Sequence, residues 1–318
     1  MAAGVGDEDD VPARDLAVRA AWMSLVGGLT QDQIARELGI SRQRAQRLYA
    51  RAQSEGLVRV RIEHPVAECL ELERALKSRF HLSRARVSPS IGPQSDVLPG
   101  LAAFAAPALE RIFQADVPSV VALGTGRTLR MVIDRMLSLD GSQHKLVSLI
   151  GNVAPDGSGS FYEVIFRLAE KTNAPHYPMS APVFSTSLDE RDLYRSLPHV
   201  SATMALARSA DLAIVGIGQM DETAPLLVDR FISHDDLREL MDAGAVGEIC
   251  GQVFDGQGNL IDHPVNDWSV GIVVPGGQVP LHCIAGGPSK LAALRAALAG
   301  NLLDALTTDE TTARALLG

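Results

Sequence analysis

Short apolar segments alternate with helical stretches over most of the chain after Ala85, and this alternation constrains the fold more than any other feature. Continuous apolar runs are typical of strands buried on both faces, and helices between such strands indicate a parallel, layered α/β fold. In such folds ligands bind beyond the C-terminal ends of the strands. We therefore predict a Rossmann-like layered domain. Its clearest strands are SVVALG (119–124), KLVSLIG (145–151) and DLAIVGIG (211–218), with helices near 96–113, 128–139, 160–172 and 198–208.

The N-terminal part of the chain carries a different pattern. Thr30 is a suitable N-cap for a helix over 31–38, and Ser41 is suitable for a second helix over about 42–55. Gly39 between them can adopt the left-handed conformation that follows a helix. Two short helices joined in this way are typical of a helix-turn-helix unit.

The segment LVRVRI (57–62) alternates apolar and basic residues, as a half-exposed strand does. Such a strand after the second helix would form a wing, so we predict an N-terminal all-α winged helix-turn-helix domain over 14–63. The first 13 residues are acidic where a secretory signal would be basic and then apolar, and we expect them to be a disordered tail. No run of eighteen apolar residues occurs, so no membrane partner is expected.

Charge is distributed unevenly along the chain. Residues 36–61 contain seven arginines and two glutamates, whereas residues 65–318 contain 20 basic and 29 acidic residues. A compact basic segment next to an acidic body favours nucleic-acid binding by the segment alone.

On the second helix, the spacing places Arg42, Gln43, Gln46 and Arg47 on the side opposite the apolar residues. Arginine and glutamine can pair bidentately with guanine and adenine edges in the major groove of DNA. The alternative is a solvated helix face, but few acidic residues are interleaved and lysine is absent from residues 1–64. The sequence therefore favours operator DNA as the partner. The predicted contacts are Thr30, Gln31, Ser41, Arg42, Gln43, Arg44, Gln46, Arg47, Arg51, Arg59 and Arg61.

The segment 64–82 joins this domain to the body and contains an amphipathic helix over 66–80. Such a helix can serve dimerisation or can pack on the body, and both alternatives remain open. The remaining residues, 83–318, are expected to form an effector domain. Its core must be aliphatic because only 4% of the residues are aromatic. The three cysteines lie far apart without a CxxC pair, so we expect a reducing cytoplasm and neither a disulfide framework nor a metal site.

Two predicted strand ends carry residues suited to ligand binding. After SVVAL, a loop of Gly124, Thr125, Gly126, Arg127 and Thr128 leads directly into a helix. Amides at a helix start, an arginine and hydroxyls suit a phosphate or several sugar hydroxyls, although a simple tight turn would look the same. Near the C-terminus, Lys290 follows a glycine pair where another strand gives way to a helix, and its ammonium could hold an anion or an acceptor oxygen.

Together these segments resemble the SorC family of sugar-responsive bacterial transcriptional regulators. The segments VALGTGRTL, SLIGN, DLAIVGIG, GEICGQVFD, AGGPSK and LTTDETTARALL occur in the family's order. The resemblance implies a body similar to sugar-phosphate isomerases and deaminases, a homodimer or homotetramer on operator DNA, and a sugar, polyol or sugar-phosphate effector. By position it adds Asn152, Gly218, Gln219 and Glu248 to the effector contacts. One departure, Ala-Gln-Arg at 45–47 where members often have Val-Ser-Arg, leaves the operator sequence open.

The main alternative is a sugar-phosphate isomerase or deaminase with an appended helix-turn-helix. Deaminases of this fold carry an Asp-Gly-His run after the corresponding strand, whereas this chain continues GIGQMDETAP without a histidine. We therefore expect a transcriptional regulator of a carbohydrate or polyol catabolic operon, with no catalytic residues, cofactor or metal. Such a regulator is expected in the bacterial cytoplasm, and at the nucleoid when it is bound to its operator.

Overall fold

A computed structural model describes residues 11–58, 66–92, 95–153, 164–273 and 279–318. The chain divides into two compact units, Met1–His64 and Pro65–Gly318. The first unit contains three described helices, α1 (Val11–Leu25), α2 (Gln31–Glu37) and α3 (Arg42–Ser54). They enclose a small aliphatic core of Ala17, Ala20, Ala21, Ile34, Ala35, Ala45, Leu48 and Ala52.

Side-chain caps fix the starts of α2 and α3. The Thr30 hydroxyl accepts a hydrogen bond from the Gln33 amide, and the Gln33 side chain accepts one from the Thr30 amide in return. The Ser41 hydroxyl accepts a bond from the Arg44 amide. Gly39 adopts a φ of 64°, so the turn between the two helices uses the left-handed conformation expected of it.

The first helix starts earlier than the sequence indicated. Residues 11–13 belong to α1, so the predicted tail over 1–13 is wrong at its last three positions. Pro12 is compatible with this start because the first turn of a helix needs no amide donor. The predicted wing over 57–62 lies outside the described residues from position 59 onward, and so do Arg59 and Arg61.

The second unit alternates helices and strands. Its helices are α4 (Ala67–Phe80), α5 (Leu98–Phe113), α6 (Arg127–Arg135), α7 (Val164–Thr172), α8 (Leu188–Ser196), α9 (Pro198–Arg208), α10 (Pro225–Val228), α11 (His234–Asp242), α12 (Pro264–Asp267), a 3-10 turn (Pro288–Lys290), α13 (Leu291–Ala299) and α14 (Glu310–Leu317). Its strands are β1 (Arg84–Ser88), β2 (Val120–Leu123), β3 (Lys145–Val153), β4 (His176–Pro182), β5 (Leu212–Val215), β6 (Gly218–Gln219), β7 (Ala245–Ile249), β8 (Gln252–Asp255), β9 (Leu281–Ile284) and β10 (Ala305–Asp309).

Among the described residues, seven strands form one parallel sheet in the order β1-β10-β9-β5-β2-β3-β4, and β6, β7 and β8 form a small antiparallel sheet. Alternate strand residues enter two different cores: Val121 and Leu123 pack with α5, α6 and α7, whereas Ala122 packs with α4, α9, α13 and α14. Helices therefore cover both faces of the sheet. The prediction of a layered α/β domain is confirmed.

One helix ends earlier than predicted, and another matches its predicted span and resolves an alternative that the sequence left open. The helix expected near 128–139 ends at Arg135, because Met136 takes an extended conformation and buries its side chain. The helix expected over 66–80 packs on the body, with Cys69 and Leu76 buried in the core of the second unit. The sequence left dimerisation and packing on the body open for this helix, and the structure shows that α4 packs on the body. It contacts β1 and α14.

Candidate functional site

A cavity of about 360 Å³ lies at the C-terminal ends of β2, β5 and β9. This volume is within the range of small-molecule sites. Eight of the ten predicted effector residues line it: Thr125, Gly126, Arg127, Thr128, Gly218, Gln219, Glu248 and Lys290. The C-terminal ends of the parallel strands bring the loop after β2 and the turn after β9 together. The small antiparallel sheet supplies Gly218, Gln219 and Glu248.

The loop after β2 forms one wall of the cavity. Gly126 is the N-cap of α6 with a φ of 125°, a conformation that strongly favours glycine. Arg127, the first residue of α6, lies 3.9 Å from the carboxylate of Asp229, measured between guanidinium nitrogen and carboxylate oxygen. Gly124 lies beneath the loop, where an added Cβ would stand 3.0 Å from the Cys250 sulfur. Gly124 therefore allows the backbone after β2 to pack closely against Cys250, and it does not line the cavity.

The turn after β9 places Lys290 in the lining of the cavity. Gly287 has a φ of 96°, and its amide donates to the Asp309 carboxylate (3.0 Å) and to the Thr312 hydroxyl (2.8 Å). Asp309 also accepts a bond from the Thr312 amide (2.9 Å). The Lys290 ammonium donates to the side-chain carbonyl of Gln219. Burial lowers the pKa of Lys290, and the negative charge of Glu248 opposes that shift.

Glu248 lies on β7, directly opposite Gly218 of β6. Its carboxylate accepts a hydrogen bond from the Gly251 amide (2.9 Å). Burial raises the pKa of Glu248, whereas that hydrogen bond and the charge of Lys290 lower it. An added Cβ at position 218 would overlap the Glu248 carboxylate, so the pairing requires a glycine there.

Asn152 is the other predicted residue that does not line the cavity. Its neighbours Ile150 and Gly151 on β3 do so instead. The Asn152 side-chain oxygen is buried and has no hydrogen-bond partner among the described residues.

The exposed side of α3 carries the predicted base-reading residues. Arg42, Gln43, Gln46 and Arg47 are exposed, and the side chains at 43, 46, 47 and 50 surround a shallow surface depression. The Nε atom of Arg42 lies 3.6 Å from the Oδ1 atom of Asp32. The face therefore presents amide and guanidinium groups together, as the helical spacing predicted.

Other predicted DNA contacts have partners within the first unit. Arg51 and Arg14 both bind Glu55, and these hydrogen bonds hold the pKa of Glu55 below its ordinary value. Thr30 and Ser41 use their hydroxyls as helix caps. Arg44 is exposed, whereas Gln31 is half-buried. The paired Arg51 is thus the weakest candidate of this group for a phosphate contact.

Comparison with known proteins identifies the family. The family model Sugar-bind, which describes a sugar-binding domain, matches residues 64–318. The chain belongs to the SorC family of transcriptional regulators. The erythritol catabolism regulatory protein EryD of Brucella abortus is 32% identical over 315 residues, which cover 99% of this chain and 98% of EryD. The transcriptional regulator LsrR of Klebsiella pneumoniae is 32% identical over 95% of this chain and 93% of LsrR.

One solved structure is similar to this protein along nearly its whole chain. The full-length sorbitol operon regulator SorC of Klebsiella pneumoniae matches with a TM-score of 0.70 and 25% identity, covering 96% of this chain and 100% of that one. Because these relatives are named as regulators, the prediction of a transcriptional regulator over an enzyme is confirmed.

The sequence missed several cavity residues of this SorC-family member. Asp229 and Phe231 follow the short helix α10, and Asp96 precedes α5, so none of them stands at a strand end. Within the described ranges, no group of three or more His, Cys, Asp or Glu side chains is arranged to hold a metal ion, and no helix is long and apolar enough to cross a membrane.

Proposed function

We propose that this SorC-family chain binds operator DNA through its first unit, and that a sugar, polyol or sugar phosphate in the cavity of the second unit controls that binding. The observation that carries the proposal is the cavity itself, which is lined by eight of the ten predicted effector residues. The relative EryD is named for erythritol catabolism, which supports a carbohydrate or polyol catabolic operon as the target.

In this proposal, α2 and α3 form a helix-turn-helix and α3 enters the major groove. The caps at Thr30 and Ser41 and the exposed Gln43, Gln46 and Arg47 support this assignment. Helix-turn-helix proteins read two half-sites as dimers, so we propose a homodimer or homotetramer. Arg59 and Arg61 would extend the contact as a wing. Like other transcriptional regulators, the protein would act in the cytoplasm at the nucleoid.

A physical connection links the cavity to α4, the helix that follows the first unit in the chain. The Gly287 turn is held by Asp309, the N-cap of α14. Helix α14 packs on α4, where Arg314 pairs with Glu68 and the Arg79 guanidinium donates to the carbonyl of Leu317. A ligand that moves the Lys290 turn would therefore shift α14 and α4 together, which supports population shift as the regulatory mechanism.

The DNA role is tested by Arg47→Ala, with binding measured by fluorescence anisotropy on the DNA upstream of the protein's own gene. We expect an affinity loss of about 5- to 140-fold, since a bidentate base contact contributes about 1–3 kcal/mol. The exposed Arg111 of α5 provides a charge-matched control, and Arg111→Ala should change the affinity less than twofold. Equal affinities for wild type and Arg47→Ala would exclude Arg47 from the DNA-reading face.

The effector role is tested by Lys290→Ala in the same assay. This variant should bind the DNA like the wild type but should lose the response to whichever sugar or polyol changes wild-type binding. A response equal to that of the wild type would contradict the role assigned to Lys290.

A further inference from the structure

We propose that the cavity binds an uncharged polyol or sugar, and that it discriminates against the phosphate ester of the same compound. This inference rests on the effector-binding function proposed above and deepens it. It comes from the balance of charge around the cavity and from the kind of hydrogen-bonding group that its walls present.

The charged side chains of the described cavity wall are three acids and two bases: Asp96, Asp229, Glu248, Arg127 and Lys290. Each base already has an acid near it. An Arg127 guanidinium nitrogen lies 3.9 Å from an Asp229 carboxylate oxygen. Lys290 donates to Gln219, whose chain neighbour Gly218 stands opposite Glu248 in the β6–β7 pair. The wall therefore carries no net positive charge.

The stretches of the second unit that lie outside the described residues cannot add basic side chains to this balance. The stretches 93–94, 154–163 and 274–278 contain no lysine, arginine or histidine. A phosphate ester carries about −1.5 to −2 charges at neutral pH and would add them to a wall without a positive surplus. Burying such a group is unfavourable where nearby acids already balance the bases of the wall.

Hydrogen-bonding chemistry points in the same direction. When ionised, the carboxylates of Asp229 and Glu248 can only accept hydrogen bonds, so any bond that they make to a ligand needs a ligand donor. A ligand hydroxyl supplies a donor and acceptors at once, and its bond to a carboxylate is charge-assisted. A phosphate dianion supplies acceptors alone. The hydroxyls of Thr125 and Thr128, which also line the cavity, can both donate to and accept from the hydroxyls of a polyol.

Apolar side chains complete the cavity and favour a ligand with exposed carbon surface. Ile150, Val183, Leu226 and Phe231 line it between the polar groups. The C–H faces of a polyol or sugar can pack on such side chains, whereas a phosphate group gains nothing from them.

The first test uses inorganic phosphate, which requires no knowledge of the effector. Thermal unfolding of the full-length protein should not respond to phosphate beyond the effect of chloride at equal ionic strength. Asp229→Asn removes the carboxylate beside Arg127, so phosphate should raise the Tm of this variant. In the double variant, Asp229→Asn with Arg127→Ala, phosphate should no longer raise the Tm. Glu248→Gln offers a second, nearly isosteric route to the same gain beside Lys290. A phosphate response of the wild type that Arg127→Ala abolishes, or no gain in either single variant, would overturn the inference.

The second test compares matched pairs by calorimetry: erythritol with erythritol 4-phosphate, ribose with ribose 5-phosphate, and glucitol with glucitol 6-phosphate. We expect the uncharged member of the best-binding pair to bind at least about tenfold more tightly than its phosphate. Tighter binding of the phosphate member would overturn this inference alone and would leave the sensor function intact. Binding of neither member in any pair would instead contradict the proposed function.

Discussion

Asp309→Ala tests whether the ligand cavity depends on a buried carboxylate at the start of α14. Asp309 is 2% exposed. It accepts hydrogen bonds from the Gly287 amide (3.0 Å), the Thr312 amide (2.9 Å) and the Thr312 hydroxyl (2.5 Å). Through the first of these bonds it holds the turn that positions Lys290. Removing the carboxylate should therefore affect both stability and ligand binding.

The magnitude follows from the bonds that are lost. Hydrogen bonds to a charged group contribute about 1.5–3 kcal/mol each, and loss of an N-cap costs about 0.5–2 kcal/mol. The Gly287 amide retains its bond to the Thr312 hydroxyl, so only the two Thr312 donors lose their sole acceptor. We expect the free energy of unfolding of the second unit to fall by about 3–5 kcal/mol.

Urea unfolding followed by tryptophan fluorescence measures this change. Each unit contains one tryptophan, so a Trp22→Phe background leaves Trp268 to report on the second unit alone. Asp242 is exposed on α11, and Asp242→Ala should change stability by less than about 0.5 kcal/mol. A loss below about 1 kcal/mol for Asp309→Ala, or an unchanged affinity for the effector, would refute the reasoning.

Two further predictions concern pH and a close backbone approach. Burial lowers the pKa of His282 from 6.5 to about 4. Because the fold keeps this imidazole neutral, the free energy of unfolding should fall by up to about 3 kcal/mol as the pH drops from 6.5 towards 4. Urea unfolding at several pH values measures this loss, and His282→Gln should reduce it. Gly218→Ala should displace the Glu248 carboxylate and reduce the effector affinity measured by calorimetry at least about tenfold. Gly244→Ala is the control, because a Cβ at position 244 meets open space. Its positive φ lowers stability, but the effector affinity should be unchanged. Wild-type affinity in Gly218→Ala would show that the Glu248 carboxylate is not a ligand contact.

Much of the fold could be predicted because its signals are local. Apolar runs such as KLVSLIG are buried on both faces, and the structure places them as β3 and its neighbours in a parallel sheet. The caps at Thr30 and Ser41 gave the starts of α2 and α3 for the same reason. The early end of α6 could not be predicted, because Met136 leaves the helix to fill a tertiary core.

From the residue pattern alone, the candidate site was predictable only at the strand ends, and the resemblance to the SorC family added Gly218, Gln219 and Glu248. Glycine-rich loops after β2 and β9 indicated Gly126, Arg127 and Lys290, which line one cavity. Asp229 was not predictable, since it enters the cavity from a short helix and its importance depends on its distance from Arg127. Asp309 was likewise missed, because its role lies in a hydrogen bond to Gly287, 22 residues earlier in the chain.

The central proposal is that one chain couples DNA reading by α3 to ligand binding in the cavity. The most direct measurement is the affinity of the full-length protein for its best-binding polyol or sugar, determined by calorimetry with and without saturating operator DNA. Thermodynamic linkage requires the ligand and the DNA to change each other's affinity by the same factor, which is about 5- to 150-fold in typical allosteric proteins. We predict a change in that range, abolished by Lys290→Ala. Identical ligand affinities with and without operator DNA would contradict the account.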